Sequence, residues 1–342
     1  MEKLCVLGTG SWGTALALSL AKKGYEVVMW SRRSEQAEKI NRTKENTEYL
    51  PGVLFPSNLT VTDDIKEAVE ECKMVVMAVP SQAVRSLCRQ IKGIVKDDQI
   101  LVNVAKGLEK GSGKRLSEVC KEELPQNVYV MLSGPSHAEE VARDLPTTVV
   151  VASEDIEKAE IVQDYFMSPK LRVYTNPDLI GVELGGALKN IIAFGAGICD
   201  GLGFGDNTKA ALMTRGIAEI SRLGTAMGAE VVTFTGLSGI GDLIVTCTSM
   251  HSRNRRAGIL IGEGYSVEET LEKVKMVVEG ITATEVAHDV AEKIGVDMPI
   301  TNAIYAVLHE NVDPKDAIVG LMMREKKHEV EQVGLSYKKS SK

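Results

Sequence analysis

Short apolar runs alternate with longer segments of helical spacing over the first half of the chain, and helical spacing dominates the second. The runs at residues 3–7, 26–30, 59–62, 74–79, 99–104, 128–132, 147–152 and 171–174 are mostly rich in β-branched side chains, as buried strands require. Between them, Ile65, Ala68, Val69 and Cys72 fit one helical face, as do Val84, Leu87, Cys88 and Ile91. Strand and helix in alternation predict an α/β fold with a doubly wound, mostly parallel sheet. The exception is residues 41–56, a polar loop closed by Pro51-Gly52 and Pro56. From Asp178 onward the β-branched runs thin out, and residues 180–194, 209–227 and 267–278 read as helices. We therefore expect a Rossmann-type N-terminal domain over residues 1–178, a mostly α-helical C-terminal domain over 179–330, and a flexible tail over 331–342. Asn176-Pro177-Asp178 is a capping signal and not a linker, so the two domains are expected to share a continuous helix and a substantial interface.

The length of 342 residues fits two domains better than one core, and 44% hydrophobic residues suffice to fill both. A net charge of −7 argues against general affinity for nucleic acid or anionic membranes, so any basic patch must be local. Six cysteines, Cys5, Cys72, Cys88, Cys120, Cys199 and Cys247, are scattered without a Cys-x-x-Cys pair, which reads as buried free thiols in a reducing compartment. The opening apolar run is too short for a signal-peptide core and no run reads as a membrane span. A cytoplasmic protein without stable membrane insertion is expected.

The first apolar run breaks into Gly8-Thr9-Gly10-Ser11-Trp12-Gly13 and then becomes helical. In this strand-turn-helix context Gly8 allows the turn, Gly10 lets main-chain N–H groups approach a pyrophosphate, and Gly13 lets the helix pack on its strand. The second strand ends in Trp30-Ser31-Arg32-Arg33, where dinucleotide folds often place a carboxylate on the adenosine ribose. A serine and two guanidiniums can pair with a 2′-phosphate, and nothing here depends on that phosphate, so NADP(H) and NAD(H) are both expected. The bland alternative is that Arg32 and Arg33 are solvated residues at a helix start. A flavin reading of the same turn has no second feature in its favour.

Asn103-Val104-Ala105-Lys106-Gly107 and Leu132-Ser133-Gly134-Pro135-Ser136-His137-Ala138 both lie at carboxyl ends of strands, the rim where open α/β sheets bind ligands. Lys106 is the better site candidate, and Ser136 is placed to cap the following helix and bind ligand. Gly111-Ser112-Gly113-Lys114-Arg115 fails as a P-loop because Leu108 and Arg115 occupy two required positions, and Gly236-Leu237-Ser238-Gly239-Ile240 fails as a nucleophile elbow at Ile240. The five histidines show no ligand spacing, and no metal is expected. In the second half, Lys189 and Asn190 interrupt an apolar helical segment, and a cation there must be paired, solvated in a cleft, or functional. Beyond 239–247, His251-Ser252-Arg253-Asn254-Arg255-Arg256 opens another helix as a candidate clamp for a small phosphate, with a solvated charge run as the alternative.

Taken together, residues 8–12, 103–107, 133–138, 183–192, 239–246 and 252–256 resemble the soluble NAD(P)-dependent glycerol-3-phosphate dehydrogenases, particularly their bacterial form. The likeness runs from residue 3 to about 324. It implies reversible hydride transfer between NAD(P)H and dihydroxyacetone phosphate, a phosphorylated triose, giving sn-glycerol 3-phosphate for phospholipid synthesis. It also implies a homodimer. By the same resemblance Lys189 is the general acid/base, Lys106 polarises the substrate and touches cofactor, and Asp242 and Thr246 hold the hydroxyl end and the catalytic lysine. Ser252, Arg253 and Asn254 take the phosphate, with Gly134 and Ser136 on the near wall. Gly8, Gly10, Ser11, Trp12, Gly13, Arg32, Arg33, Lys106, Ala138, Arg253 and Glu279 are the implied cofactor contacts. Arg255 and Arg256 are extra cations without an assigned part. Two other readings stand beside this one: a two-domain dehydrogenase of larger hydroxy acids, and a non-catalytic nucleotide sensor. Lys189 and Asp242 disfavour the sensor, and the 252–254 clamp disfavours an unphosphorylated substrate.

Overall fold

A computed structural model describes residues 2–326, 328 and 329, so the expected tail at 331–342 lies outside the described residues. Eight strands form one sheet: β1 (Lys3–Leu7), β2 (Glu26–Trp30), β3 (Leu59–Thr62), β4 (Met74–Met77), β5 (Ile100–Asn103), β6 (Tyr129–Ser133), β7 (Thr147–Ala152) and β8 (Leu171–Asn176). Their spatial order is β3-β2-β1-β4-β5-β6-β7-β8. Every neighbouring pair is parallel except β6 with β7, where Leu132 lies opposite Val151 in antiparallel register. Central strands such as β4, Met-Val-Val-Met, are buried at every position because helices cover both faces. The order reverses between β1 and β4, which opens a crevice at their carboxyl ends.

Helices make up the rest. The helix Leu179–Gly201, capped by Asp178 through the Gly181 N–H, starts against β6 and β7 through Leu179 and Val182 and continues into a separate apolar core. By length and composition it could cross a membrane, yet 94% of its most apolar window is buried inside the fold. The helix Arg253–Gly262 crosses it at glycines: a Cβ on Gly258 would stand 2.0 Å from the Phe194 carbonyl oxygen, and one on Gly197 would stand 2.0 Å from that of Arg255. Only hydrogen fits between those backbones. The buried carboxylate of Glu219 accepts from the Ile300 and Thr301 N–H groups, each at 2.8 Å, and thereby caps the helix Pro299–His309 from a distant segment.

The structure departs from the sequence-based boundaries at three places. The helix expected over 267–278 ends at Val274, because Lys275 adopts a left-handed cap with φ 55°, and a new helix begins at Glu279. The polar loop expected from residue 41 begins later, since the helix Ser34–Thr43 runs into it. Ser136 does not cap the next helix: His137 holds the cap position before Ala138–Ala142, and the Ser136 hydroxyl donates instead to the Gly134 carbonyl at 2.9 Å. All six cysteines are buried and free.

Candidate active site

The crevice is built first from the turn after β1. Gly8 has φ 123°, and any Cβ there would stand 2.3 Å from the Ala78 carbonyl oxygen, so the turn requires glycine. Gly10 is the N-cap of the helix Ser11–Lys22, with no side-chain cap and open space where a Cβ would be. The first-turn N–H groups of that helix are free for an anion, as a pyrophosphate needs. Ser11 donates to the Tyr49 carbonyl at 2.8 Å, and the half-buried Trp12 keeps an indole Nε1 with no partner. At the end of β2, Arg32 is exposed and makes no ion pair among the described residues, whereas Arg33 pairs with Glu48 at 2.7 Å.

Opposite lies a buried charge cluster spanning both halves of the fold. Lys106, just beyond β5, donates through Nζ to the Gly134 carbonyl at 2.9 Å and to Asp242 Oδ2 at 2.6 Å. Lys189, on the long apolar helix, donates to the other Asp242 oxygen and to Thr246 Oγ1, the latter at 2.6 Å. The Thr246 hydroxyl donates in turn to the Asp242 carbonyl. One carboxylate therefore holds two ammonium groups. Burial pushes Lys189 down to about 7, with Lys106 lowering it further and Asp242 opposing both. Burial works to raise Asp242, but the charges of Lys106 and Lys189 hold it below the usual carboxylate range. A lysine that titrates near neutrality is suited to exchange a proton with substrate.

Cationic residues surround this pair. Arg253 opens the helix Arg253–Gly262 with its side chain exposed and with no ion pair, and Ser252 caps the helix by accepting from the Arg255 N–H. Asn254 turns inward: its amide donates to Asn190 Oδ1 at 2.9 Å and accepts from the Gly280 N–H at 2.9 Å, while Asn190 reaches the Lys106 carbonyl. Arg255 is occupied by Asp200 and the Thr248 carbonyl, which gives it a structural part. Arg256 keeps a buried Nε without a partner. Glu279 accepts from both the N–H and the hydroxyl of Ser81, tying the helical half to the turn after β4, and Ala138 is buried at the helix start beyond β6.

Several contributors escaped the sequence reading. Glu183 accepts from Ser117 N–H, Ser117 hydroxyl, Arg115 and Tyr129 at 2.6–2.9 Å, and this locks the helix bearing Lys189 onto the sheet. Its signal was a lone carboxylate in an apolar helix, which burial forces to find donors. His137 leaves Nε2 buried and unpartnered, its ring 5.5 Å from that of His251, and burial followed by the Lys189 charge pushes it toward the neutral form. Ser133, whose hydroxyl would lie 2.8 Å from a Cβ on Gly186, is likewise buried without a partner. Unsatisfied polar atoms at Trp12, Ser133, His137 and Arg256 thus occur in the segments that form the crevice, which is what a site completed by a polar ligand shows.

Comparison with known proteins covers nearly the whole chain. Family models described as NAD-dependent glycerol-3-phosphate dehydrogenase N-terminus and C-terminus match residues 3–159 and 178–319. A glycerol-3-phosphate dehydrogenase (NAD(P)+) from Pelotomaculum thermopropionicum is 60% identical over 337 residues, covering 98% of this chain and 97% of the relative. One from Clostridium acetobutylicum is 58% identical over 329 residues, with 96% and 99% covered. The crystal structure of glycerol-3-phosphate dehydrogenase from Coxiella burnetii superposes with a TM-score of 0.91 at 40% identity, covering 94% of this chain and 99% of that one.

Proposed function

The chain belongs to the NAD-dependent glycerol-3-phosphate dehydrogenase family, and from that premise we propose how its crevice performs the reaction. The protein reduces dihydroxyacetone phosphate reversibly to sn-glycerol 3-phosphate with NAD(P)H, an oxidoreductase reaction at a CH–OH group. The observation that carries the residue roles is the shared carboxylate: Asp242 fixes Lys189 and Lys106 side by side at the crevice. When bound, the nicotinamide supplies the hydride that reaches the carbonyl carbon. Lys189, as ammonium, gives a proton to the carbonyl oxygen during reduction, and as free amine takes it back during oxidation. Lys106 polarises the same oxygen and Thr246 holds the Lys189 amine in line. Ser252, Arg253 and the Asn254 main chain receive the phosphate at a helix N-terminus, with Gly134 and Ser136 on the near wall. Gly8, Gly10, Ser11, Trp12, Gly13, Arg32, Arg33, Ala138 and Glu279 form the cofactor side, with Lys106 and Arg253 facing both ligands. With a division at about residue 178, most cofactor contacts fall in the sheet half and most substrate contacts in the helical half, while Lys106, Gly134, Ser136, Arg253 and Glu279 reach across it.

The product is the backbone of glycerophospholipids, and we read the enzyme as a cytoplasmic homodimer that supplies it. Val231, Val232, Ile240 and Ile244, exposed on adjoining helical segments, offer a second copy an apolar surface. The test of the reaction is NAD(P)H oxidation with dihydroxyacetone phosphate against unphosphorylated dihydroxyacetone, for the unaltered chain and for Lys189→Ala. The phosphorylated triose should be strongly preferred, and Lys189→Ala should lose on the order of 10²-fold or more in turnover while binding cofactor normally. Near-normal turnover in that variant would remove Lys189 from proton transfer.

A further inference from the structure

An open pocket of about 130 Å³ lies between the helix Ser34–Thr43 and residues 45–48, lined in part by Arg33, Gln36, Lys39, Asn46 and Glu48. Its inner wall is tied to the glycine turn. Asn46 donates to the Thr9 carbonyl and to Thr14 Oγ1, both at 2.8 Å. Gln36 Oε1 accepts from Thr9 and Ser31 hydroxyls at 2.8 and 2.9 Å, which leaves Gln36 Nε2 buried and without a partner. The Gln36 side chain is only 8% exposed, so its free amide N–H awaits an acceptor from outside the fold. At the rim, Arg33 Nη2 meets Glu48 Oε2 at 2.7 Å, and Tyr49 lies close enough to Glu48, Arg33 and Arg32 to feel all three charges.

In a dinucleotide fold the adenosine ribose sits at the end of the second strand, where a carboxylate commonly takes the 2′-hydroxyl. This chain has Ser31-Arg32-Arg33 there and no carboxylate. Glu48 brings one to the same place from a different segment, in contact with the guanidinium that a 2′-phosphate would need. We propose that Glu48 sets the balance between NAD(H) and NADP(H), standing in for the missing strand-end carboxylate by occupying Arg33 and repelling a 2′-phosphate. Arg32, which carries no ion pair, is the cation left to receive the phosphate, so the enzyme takes both cofactors. This rests on the assignment of the crevice to a dinucleotide.

The size of the effect follows from removing a single charge near a phosphate dianion at a water-exposed rim, where salt screens but does not abolish the interaction; it amounts to about five- to tenfold. The experiment is equilibrium binding of NADPH and NADH, without triose, followed by nicotinamide fluorescence for the unaltered chain, Glu48→Gln and Arg33→Ala/Glu48→Gln. Glu48→Gln should tighten NADPH about five- to tenfold and move NADH less than twofold. The gain should shrink in high salt and in the double variant, which has no Arg33 to release. Equal changes for both cofactors, or none, would overturn the role of Glu48. If neither cofactor bound the unaltered chain, the dinucleotide assignment itself would fall, a distinct result.

Discussion

Replacing Asp242 by asparagine keeps the shape of the central carboxylate and removes the charge that holds Lys106 and Lys189 together. Two unit charges about 3 Å apart attract by about 5.5 kcal/mol at an effective dielectric constant of about 20. The amide oxygen of asparagine and relaxation of the partly exposed Lys106 return part of that, leaving a net loss of about 3 kcal/mol, or roughly two pKa units, on Lys189. Starting from about 7, the Lys189 amine would then titrate near 5. At pH 7 its protonated fraction falls from about half to about one in a hundred.

The two directions of the reaction respond oppositely to this change. Reduction needs the ammonium, so in the unaltered protein it declines as pH rises through about 7, whereas oxidation needs the amine and rises through the same pH. In Asp242→Asn the decline for reduction should move to about pH 5, with a loss at pH 7 on the order of fiftyfold beyond any loss in oxidation. The assay is kcat/KM against pH for both directions, with cofactor binding as the control for folding. Asp242 also lies within reach of substrate, so absolute rates fall both ways and the displacement of the limb is the decisive reading. A limb that stayed near pH 7 in the variant would show that Lys189 is not the titrating group or that Asp242 does not set its proton affinity.

Two further substitutions probe the phosphate end. Arg253→Ala removes one partner of a pair that becomes desolvated when the triose binds, about 2–5 kcal/mol, so kcat/KM for dihydroxyacetone phosphate should fall at least about thirtyfold, and that for dihydroxyacetone by a much smaller factor through any loss of cofactor contact. The same factor for both would end its role as a phosphate ligand. Gly258→Ala places a methyl group 2.0 Å from the Phe194 carbonyl oxygen, so the two helices must separate, at a cost of about 1–3 kcal/mol in thermal unfolding. Because the displaced helix carries Ser252 to Asn254, KM for the phosphorylated triose should rise as well; an unchanged Tm would refute the tight crossing.

The sheet was legible because its evidence is local. Eight apolar runs with helical segments between them leave little freedom in how the N-terminal half folds, and the glycine turn marks where its ligand side lies. Lys106, Lys189, Asp242 and Thr246 could be named individually, but their meeting at one carboxylate depends on contacts across 136 and 53 residues of chain, which no spacing rule encodes. The misreadings have local causes of a different kind. A left-handed Lys275 breaks a segment that still has helical composition, and His137 displaces Ser136 from the cap because the serine hydroxyl is drawn to the Gly134 carbonyl. Asn254 was legible as a ligand candidate by type, but not the inward bonds of its amide, which donates one N–H to Asn190 and accepts from the Gly280 N–H and so fixes the start of its helix.

These contacts also explain how a chain of net charge −7 keeps a cationic crevice. Four carboxylates near the crevice are each committed to fixed donors: Asp242 to two lysines, Glu183 to Ser117, Arg115 and Tyr129, Asp200 to Lys209 and Arg255, and Glu279 to Ser81. Each holds an element in place through those donors. Among the described residues Arg253, Arg256 and Arg32 make no ion pair. If triose and dinucleotide bind as proposed, they meet guanidiniums that no direct ion pair occupies among the described residues, although Glu279 and Glu139 lie near enough to Arg253 to act on its charge. Asp242 lies between two ammonium groups, and its charge opposes the burial and the Lys106 charge that push Lys189 down to about 7, a balance that suits the proposed proton transfer.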